Sequence, residues 1–74
     1  MNNRSVADLK PGESGVIKGF TDNIISLKLM EMGCLPGSTI KMNYTAPFGD
    51  PISYYIAGYN LTLRISEASA ILIE

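Results

Sequence analysis

Seven glycines and four prolines divide the 74-residue chain into short segments, and this spacing limits the elements that it can form. Between these turn-forming residues, apolar and polar side chains alternate in short runs, as they do in half-buried strands. Five strands are expected, at residues 14–20, 39–45, 52–57, 61–64 and 70–73. The pattern therefore predicts a mostly β protein.

One stretch is typical of a longer helix. Residues 22–32 contain no glycine or proline and are rich in Leu, Met, Lys and Glu, and Gly33 follows where a helix can end. The core-facing side of this helix is expected to carry Ile25, Leu29 and Met32. At about 100° per residue, Leu27 and Met30 fall on nearly the opposite side. This second apolar stripe is either covered by another segment or exposed for a partner.

Short, closely spaced strands favour a small barrel, because closing a sheet removes edges that a small domain cannot otherwise protect. We therefore predict a single domain over residues 1–74, folded as an SH3-like barrel of about five strands. Its main helix is at 22–32, and short helical turns are expected near 5–9 and 66–69. An OB-type barrel is the alternative, but its usual helix follows the third strand, later in the chain than this one.

Composition excludes several classes of protein. Hydrophobic residues make up 46% of the chain and charged residues 18%, which is typical of a folded protein. The formal net charge of −1 provides no general attraction to nucleic acid or to an anionic membrane. No apolar run is long enough to cross a bilayer, so we expect no direct insertion into a membrane. With one cysteine and no secretion signal at residues 1–4, a cytoplasmic location is expected.

The residue types needed for most enzyme and metal sites are missing. The chain has no histidine, and Cys34 is its only cysteine. A nucleophile would therefore lack its usual base, and no carboxylate pair lies at ligand spacing on the expected elements. The GxxxxGK[ST] phosphate loop is also absent. We expect no enzyme activity, no metal and no cofactor, and we interpret Cys34 as a packed apolar residue.

Several short motifs, taken in their order and spacing, resemble the ferrous iron transport protein A family. They are Leu-Lys-Pro-Gly-Glu at 9–13, Lys-Leu-Met-Glu-Met-Gly at 28–33, Leu-Pro-Gly-Ser at 35–38, Gly-Asp-Pro at 49–51, Leu-Thr-Leu-Arg at 61–64 and Glu-Ala at 67–68. The family consists of small SH3-like proteins that accompany a large membrane iron transporter carrying a GTPase domain. The resemblance implies a non-catalytic accessory protein that contacts this transporter, at its GTPase domain or elsewhere on its cytoplasmic face.

Many residues in and near these motifs are interpreted as fold-determining rather than ligand-binding. The set comprises Gly12, Gly33, Pro36, Gly37, Asp50, Pro51, Gly58, Leu63 and Arg64. Glycine permits a positive φ where a turn needs one, and proline fixes the direction of the chain.

The candidate partner-binding residues lie on two surfaces. They are Leu27, Lys28 and Met30 on the helix, and Phe48, Tyr55 and Tyr59 in and after the loop at 46–51. Aromatic side chains are favoured at interfaces because they bury a large area with few rotatable bonds. By contrast, Tyr44 and Tyr54 share the apolar faces of their strands and are expected in the core.

Two other functions stay open from the sequence. One is an SH3-like interaction domain of an iron-dependent transcriptional regulator, which in such proteins follows a helix-turn-helix domain absent from these 74 residues. The other is single-strand nucleic-acid binding, which favours a basic groove, whereas the basic residues here are spread along the chain. Weak self-association through a strand edge or an apolar stripe is also open.

Overall fold

The computed structural model describes residues 4–74 as a six-stranded antiparallel sheet with two α-helices and one 3-10 turn. The strands are β1 (Arg4–Ser5), β2 (Ser14–Phe20), β3 (Thr39–Thr45), β4 (Ile52–Ile56), β5 (Tyr59–Leu63) and β6 (Ile71–Ile73). The helices are α1 (Asn23–Glu31) and α2 (Ile65–Ser69), and the 3-10 turn is Val6–Asp8. Residues 1–3, which were used to argue against a secretion signal, lie outside the described residues. The prediction of a mostly β chain with one main helix is confirmed.

Strand β2 joins the two halves of the sheet because it changes partner along its length. Its first three residues pair with β3, and its residues from Ile17 onward pair with β6, with a register shift between Ile17 and Gly19. Glycines within a strand, here Gly15 and Gly19, predict a bend or a close backbone approach. Gly15 shows the close approach, since a Cβ there would lie 2.9 Å from Cδ1 of Ile73. The absence of a side chain at Gly15 lets Ile73 pack across β2.

The sheet is not closed by hydrogen bonds, which corrects one detail of the expected barrel. The strand order β1-β6-β2-β3-β4-β5 leaves β1 and β5 as edges, and β1 adds a sixth, very short strand to the five expected. A side-chain hydrogen bond joins the two ends instead. The buried Tyr54 hydroxyl on β4 donates to the carbonyl oxygen of Val6 at 3.0 Å. This contact ties the chain after β1 to the far half of the sheet.

The core draws side chains from the 3-10 turn, from α1 and from strands in both halves of the sheet. Its largest fully buried members are Tyr54, Ile17, Leu29, Ile40, Ile56, Leu63, Ile71, Ile73, Val6 and Cys34. Ile25 and Met32 are half-buried and pack against this cluster, so the expected core-facing side of α1 is confirmed. Each fully buried aliphatic side chain stabilises the fold by roughly 1.5–3 kcal/mol.

Tyr44 is not in the core, so this expectation is wrong. The register of β3 and β4 shifts between Met42 and Tyr44, and Tyr44 lies opposite Ser53. An extra residue on one strand reverses the alternation of side chains beyond it. Tyr44 is therefore 65% exposed, whereas Tyr54 is fully buried as expected.

A two-residue turn, Ala57 and Gly58, joins β4 to β5. Both residues have a positive φ, of 53° and 88°, as the tightest hairpin turns with a right-handed strand twist require. The expected strands at 52–57 and 61–64 left residues 58–60 for this turn, but Tyr59 and Asn60 already pair with β4. The turn begins one residue earlier than expected because Ala57 adopts a conformation that is usual for glycine.

Helix α1 is capped by Asp22, the first residue of the expected helix, and ends before Gly33 as expected. The carboxylate of Asp22 accepts a hydrogen bond from the Ile24 N–H at 2.8 Å. Beyond the helix, Gly33 has a φ of 106°, and a Cβ on it would collide with the hydroxyl of Tyr59. Two separate constraints therefore require glycine at this position.

We predict that Gly33→Ala destabilises the chain more than Gly37→Ala. Both glycines have a positive φ, which costs an alanine roughly 1–2 kcal/mol, but a Cβ on Gly37 meets nothing within 4 Å. A Cβ on Gly33 would also displace the Tyr59 hydroxyl from its hydrogen bond to Met32, which adds about 0.5–1.5 kcal/mol. Urea unfolding measures the loss of stability in each variant. When both chains also carry Tyr59→Phe, the difference between the two losses should be smaller. Equal losses for the two variants would show that the Tyr59 contact imposes no constraint.

Candidate functional site

The outward side of α1 carries apolar side chains that the core does not use. Ile24 is 88% exposed and Leu27 is 66% exposed, while Met30 is half-buried beside them. Side chains three residues apart on a helix are neighbours, so these form one surface, here called the helix patch (Ile24, Leu27 and Met30). No segment among residues 4–74 covers Leu27. Ile24 was missed in the sequence analysis, although its spacing of three residues from Leu27 carried the signal.

Lys28, proposed from the sequence as a contact residue, connects α1 to α2. Its Nζ lies 2.8 Å from Oε2 of Glu67, a carboxylate that is almost fully buried. The other oxygen of Glu67 accepts a hydrogen bond from the Arg64 N–H at 2.9 Å. The hydrogen bond from Lys28, followed by that from Arg64, holds the pKa of Glu67 below its ordinary value. Lys28 thus has a structural partner, although its side chain is still 64% exposed.

Tyr55 and Tyr59 point to opposite sides of the sheet, so they do not form one surface. Tyr55 lies opposite Asn60, whereas Tyr59 lies opposite the fully buried Ile56. From that side the Tyr59 hydroxyl donates to the carbonyl oxygen of Met32, at the end of α1. Tyr59 therefore links β5 to the helix, and both tyrosines stay nearly half exposed, at 45% and 43%.

The loop at 46–51 carries the most exposed aromatic side chain described. Phe48 is 98% exposed, and Tyr44 lies close to the same end of the β3–β4 hairpin. We call Tyr44 and Phe48 the loop patch. Because Tyr55 and Tyr59 are near the opposite end of β4, the structure does not bring Phe48 together with them.

Asp50 and Arg64 connect this loop to the start of α2. Oδ1 of Asp50 accepts a hydrogen bond from the Ile65 N–H at 2.9 Å, and the Asp50–Pro51 peptide bond is cis. Asp50, Pro51 and Arg64 line an open cavity of about 260 Å³. The neighbouring Leu63 is fully buried. These contacts give Asp50 and Leu63 packing and bonding roles within the fold.

The remaining residues proposed as fold-determining lie in turns and loops. Positive φ values occur at Gly12, Gly33, Gly37 and Gly58. Pro36 is exposed in the loop that leads from α1 to β3.

Cys34 lies fully buried in the core. Burial, together with the negative charge of Glu67, raises the pKa of its thiol above the ordinary value. A buried, protonated thiol is a poor nucleophile and a poor metal ligand. Across residues 4–74, no three acidic or cysteine side chains come together in a group that could hold a metal ion. In the same residues, every helix is too short to cross a bilayer.

A protein-family model described as the FeoA domain matches residues 4–74. The chain belongs to this family. Among curated proteins, the Fe(2+) transport protein A/Fe(2+) transporter FeoB fusion protein of Porphyromonas gingivalis is 33% identical over 70 residues. That match covers 93% of this chain but 8% of the fusion protein, so the FeoA domain corresponds to a small part of that relative.

Solved structures share the fold of this FeoA domain. The FeoA-like protein from Clostridium acetobutylicum has a TM-score of 0.90 and 32% sequence identity, covering 100% of this chain and 87% of that chain. FeoA from Stenotrophomonas maltophilia in complex with zinc, described as a prokaryotic SH3 domain protein, has a TM-score of 0.81 and 24% identity, covering 96% and 89%. At the latter identity the likeness shows the fold alone. The SH3-like fold predicted from the sequence is confirmed.

The same fold occurs in a transcriptional regulator. A manganese-dependent transcriptional repressor in complex with manganese has a TM-score of 0.85 and 19% identity, covering 99% of this chain and 36% of that chain. This likeness also shows the fold alone. The fold therefore does not separate a transport accessory from a regulator domain, whereas the family match assigns the chain to the FeoA domain family.

We predict that the ion pair between Lys28 and Glu67 makes the stability of this FeoA domain depend on pH. The pKa of Glu67 is lower in the folded chain than its ordinary value of 4.5. The stabilisation of the fold by the Glu67 carboxylate is therefore fully present above pH 4.5. It is lost as the pH falls through the lower, folded pKa. Glu67→Gln should therefore cost about 1 kcal/mol at pH 7, a figure reduced by the exposure of Lys28, and progressively less as the pH falls through the folded pKa of Glu67.

Urea unfolding at several pH values measures this difference, with Lys28→Gln as the matched variant from the other side of the pair. Glu13 leaves a residual pH dependence in both variants, because the Lys10 N–H and then the Arg4 side chain also lower its pKa. A gap between wild type and Glu67→Gln that stays the same from pH 3 to pH 7 would contradict the assignment.

Proposed function

We propose that this chain is a non-catalytic accessory protein of ferrous iron uptake that acts by docking on the membrane ferrous iron transporter. The fusion relative supports the partner, because its name joins an Fe(2+) transport protein A to a transporter, FeoB, in one polypeptide. Fusion of two proteins in one chain holds them at a high effective concentration, which is useful when they work in contact. The docking site on the transporter would be its GTPase domain or another part of its cytoplasmic face. The single FeoA domain would then act as one unit in the cytoplasm.

The observation that carries the proposal is the exposure of the helix patch. Ile24 and Leu27 lie on a helix whose opposite side supplies Leu29 to the core, so the core does not use these two side chains. Leaving such side chains in water forfeits roughly 1.5–3 kcal/mol for each of them. A partner that buries them recovers this free energy on binding.

The residue types of the chain favour binding over catalysis. There is no histidine in the sequence to act as a base near neutral pH, and the one thiol is buried. Docking can still change transport if the protein binds one transporter state more tightly than another. A tenfold difference in affinity shifts the balance of the two states by about 1.4 kcal/mol.

We predict that Leu27→Ser weakens binding to the transporter at least about tenfold, since an apolar contact at the centre of an interface contributes that much or more. The stability of the domain should change by less than about 0.5 kcal/mol, because the side chain is exposed. Titration calorimetry with the purified full-length transporter measures the affinity, and urea unfolding measures the stability. Ile65→Ser is the control, since Ile65 is an apolar side chain that is 43% exposed on α2. A Leu27→Ser variant that binds as tightly as wild type would show that the helix patch is not the docking surface.

The loop patch gives a separate prediction. Phe48→Ser should also weaken binding while leaving the stability unchanged, because Phe48 contributes almost no buried area to the free domain. The same titration tests it. Binding equal to that of wild type, alongside a loss for Leu27→Ser, would restrict the contact to the helix patch.

A further inference from the structure

The two open edges of the sheet differ in how well they are protected against pairing with another strand. Within residues 4–74, the β1 edge carries the charged Arg4, and a charge at an edge discourages pairing. The β5 edge runs over five residues, Tyr59–Leu63, with no charged residue, no proline and no bulge in its register with β4. The β5 edge therefore lacks the charge, proline or bulge that usually protects natural edge strands from pairing.

The register of β5 fixes which of its backbone groups face away from the sheet. The two-residue turn makes Ile56 and Tyr59 a hydrogen-bonded pair, and every second pair beyond them is hydrogen-bonded as well. The N–H and C=O groups of Asn60 and Thr62 therefore point to the open side. Both residues are exposed, and no backbone partner for these four groups occurs among residues 4–74. The side-chain amide of Asn60 is occupied separately, since its Oδ1 accepts a hydrogen bond from Asn43 at 3.1 Å.

We propose that β5 is a self-association edge, at which it pairs antiparallel with β5 of a second copy of this chain. The two outward-facing residues lie symmetrically about Leu61. A two-fold axis at Leu61 therefore places Asn60 opposite Thr62 of the second copy, and Thr62 opposite its Asn60. Each pair exchanges two backbone hydrogen bonds, so that all four open groups on each strand gain a partner.

The side chains along this edge fit a second copy on both sides of the sheet. On the core side, the partly exposed Leu61 meets Leu61 of the second copy, an apolar cross-strand pair of the kind that stabilises sheets. On the other side only the polar residues Asn60 and Thr62 meet. A two-fold axis brings a surface against its own copy, so a charge near the axis would meet a like charge. Residues 59–63 carry no charge, and no such repulsion arises. Two five-residue strands bury less than the roughly 1,200 Å² of a stable complex, so the dimer is weak and forms at high protein concentration.

The test combines sedimentation equilibrium with amide hydrogen exchange followed by NMR on the intact chain, from about 10 µM to about 1 mM, the range of a weak association. We expect a monomer at the low end and a growing dimer at the high end. The exchange of the Asn60 and Thr62 amides should slow with concentration about in proportion to the dimer formed. Thr62→Pro removes an N–H that only the second copy uses, and proline is tolerated at such an edge position. Thr62→Lys places a charge at the same point without altering the backbone.

Both variants should stay monomeric, whereas Thr45→Lys, the same charge change at an exposed position of β3, should dimerise like wild type. A chain that is monomeric throughout the range overturns the proposal. A dimer that persists in Thr62→Lys also overturns it, when the exchange of the Asn60 and Thr62 amides in wild type does not change with protein concentration. Another surface then forms the contact. Protection of these two amides only when the transporter is added would assign the edge to a strand of that partner and not to a second copy.

Discussion

The pairing of β2 with two different strands is the constraint on which the rest of the fold depends. Its first residues extend β3, β4 and β5, and its last residues hold β6 and through it β1. A side chain at Gly15 would displace Ile73, a core residue of β6, so one glycine makes it possible for both halves to meet on a single strand. The Tyr54 hydroxyl on β4 then ties the chain after β1 to the other half of the sheet without strand pairing. A small chain gains one continuous core in this way, at the cost of leaving two strand edges open.

Helix α1 is held at a few points, and this arrangement leaves its outward side free. Leu29 anchors it in the core, the ion pair of Lys28 with Glu67 connects it to α2, and the Tyr59 hydroxyl binds the carbonyl oxygen of Met32 at its end. None of these contacts involves Ile24 or Leu27. The helix patch is thus fixed in position by other residues, and a partner would meet a rigid surface whose ordering costs little on binding.

The sequence predicted the elements whose pattern is local. The bounds of β2 and β3 match those expected, and α1 lies within 22–32, because alternation, capping and glycine positions are all read along the chain. The errors have a common cause, which is information carried by pairing between strands. The shift of register near Tyr44 reverses the alternation, and the positive φ of Ala57 moves the turn before Tyr59. The candidate site shows the same division, because helical spacing placed Leu27 away from the core side of α1, whereas it did not reveal the link from Lys28 to a residue 39 positions away.

The most exposed apolar residues lie apart from the core, so the proposed binding role makes little demand on folding. A domain of this size has little stability to spare, so side chains that serve a partner must lie where their loss does not disturb the core. Ile24, Leu27 and Phe48 meet that condition, since they lie on the outside of α1 and at the tip of a loop. They are the three most exposed large apolar residues among residues 4–74. The core itself is carried by strands whose inner positions are fully buried. If the two patches bind the transporter as proposed, substitutions on them alter binding independently of stability, and this surface can change while the fold is kept.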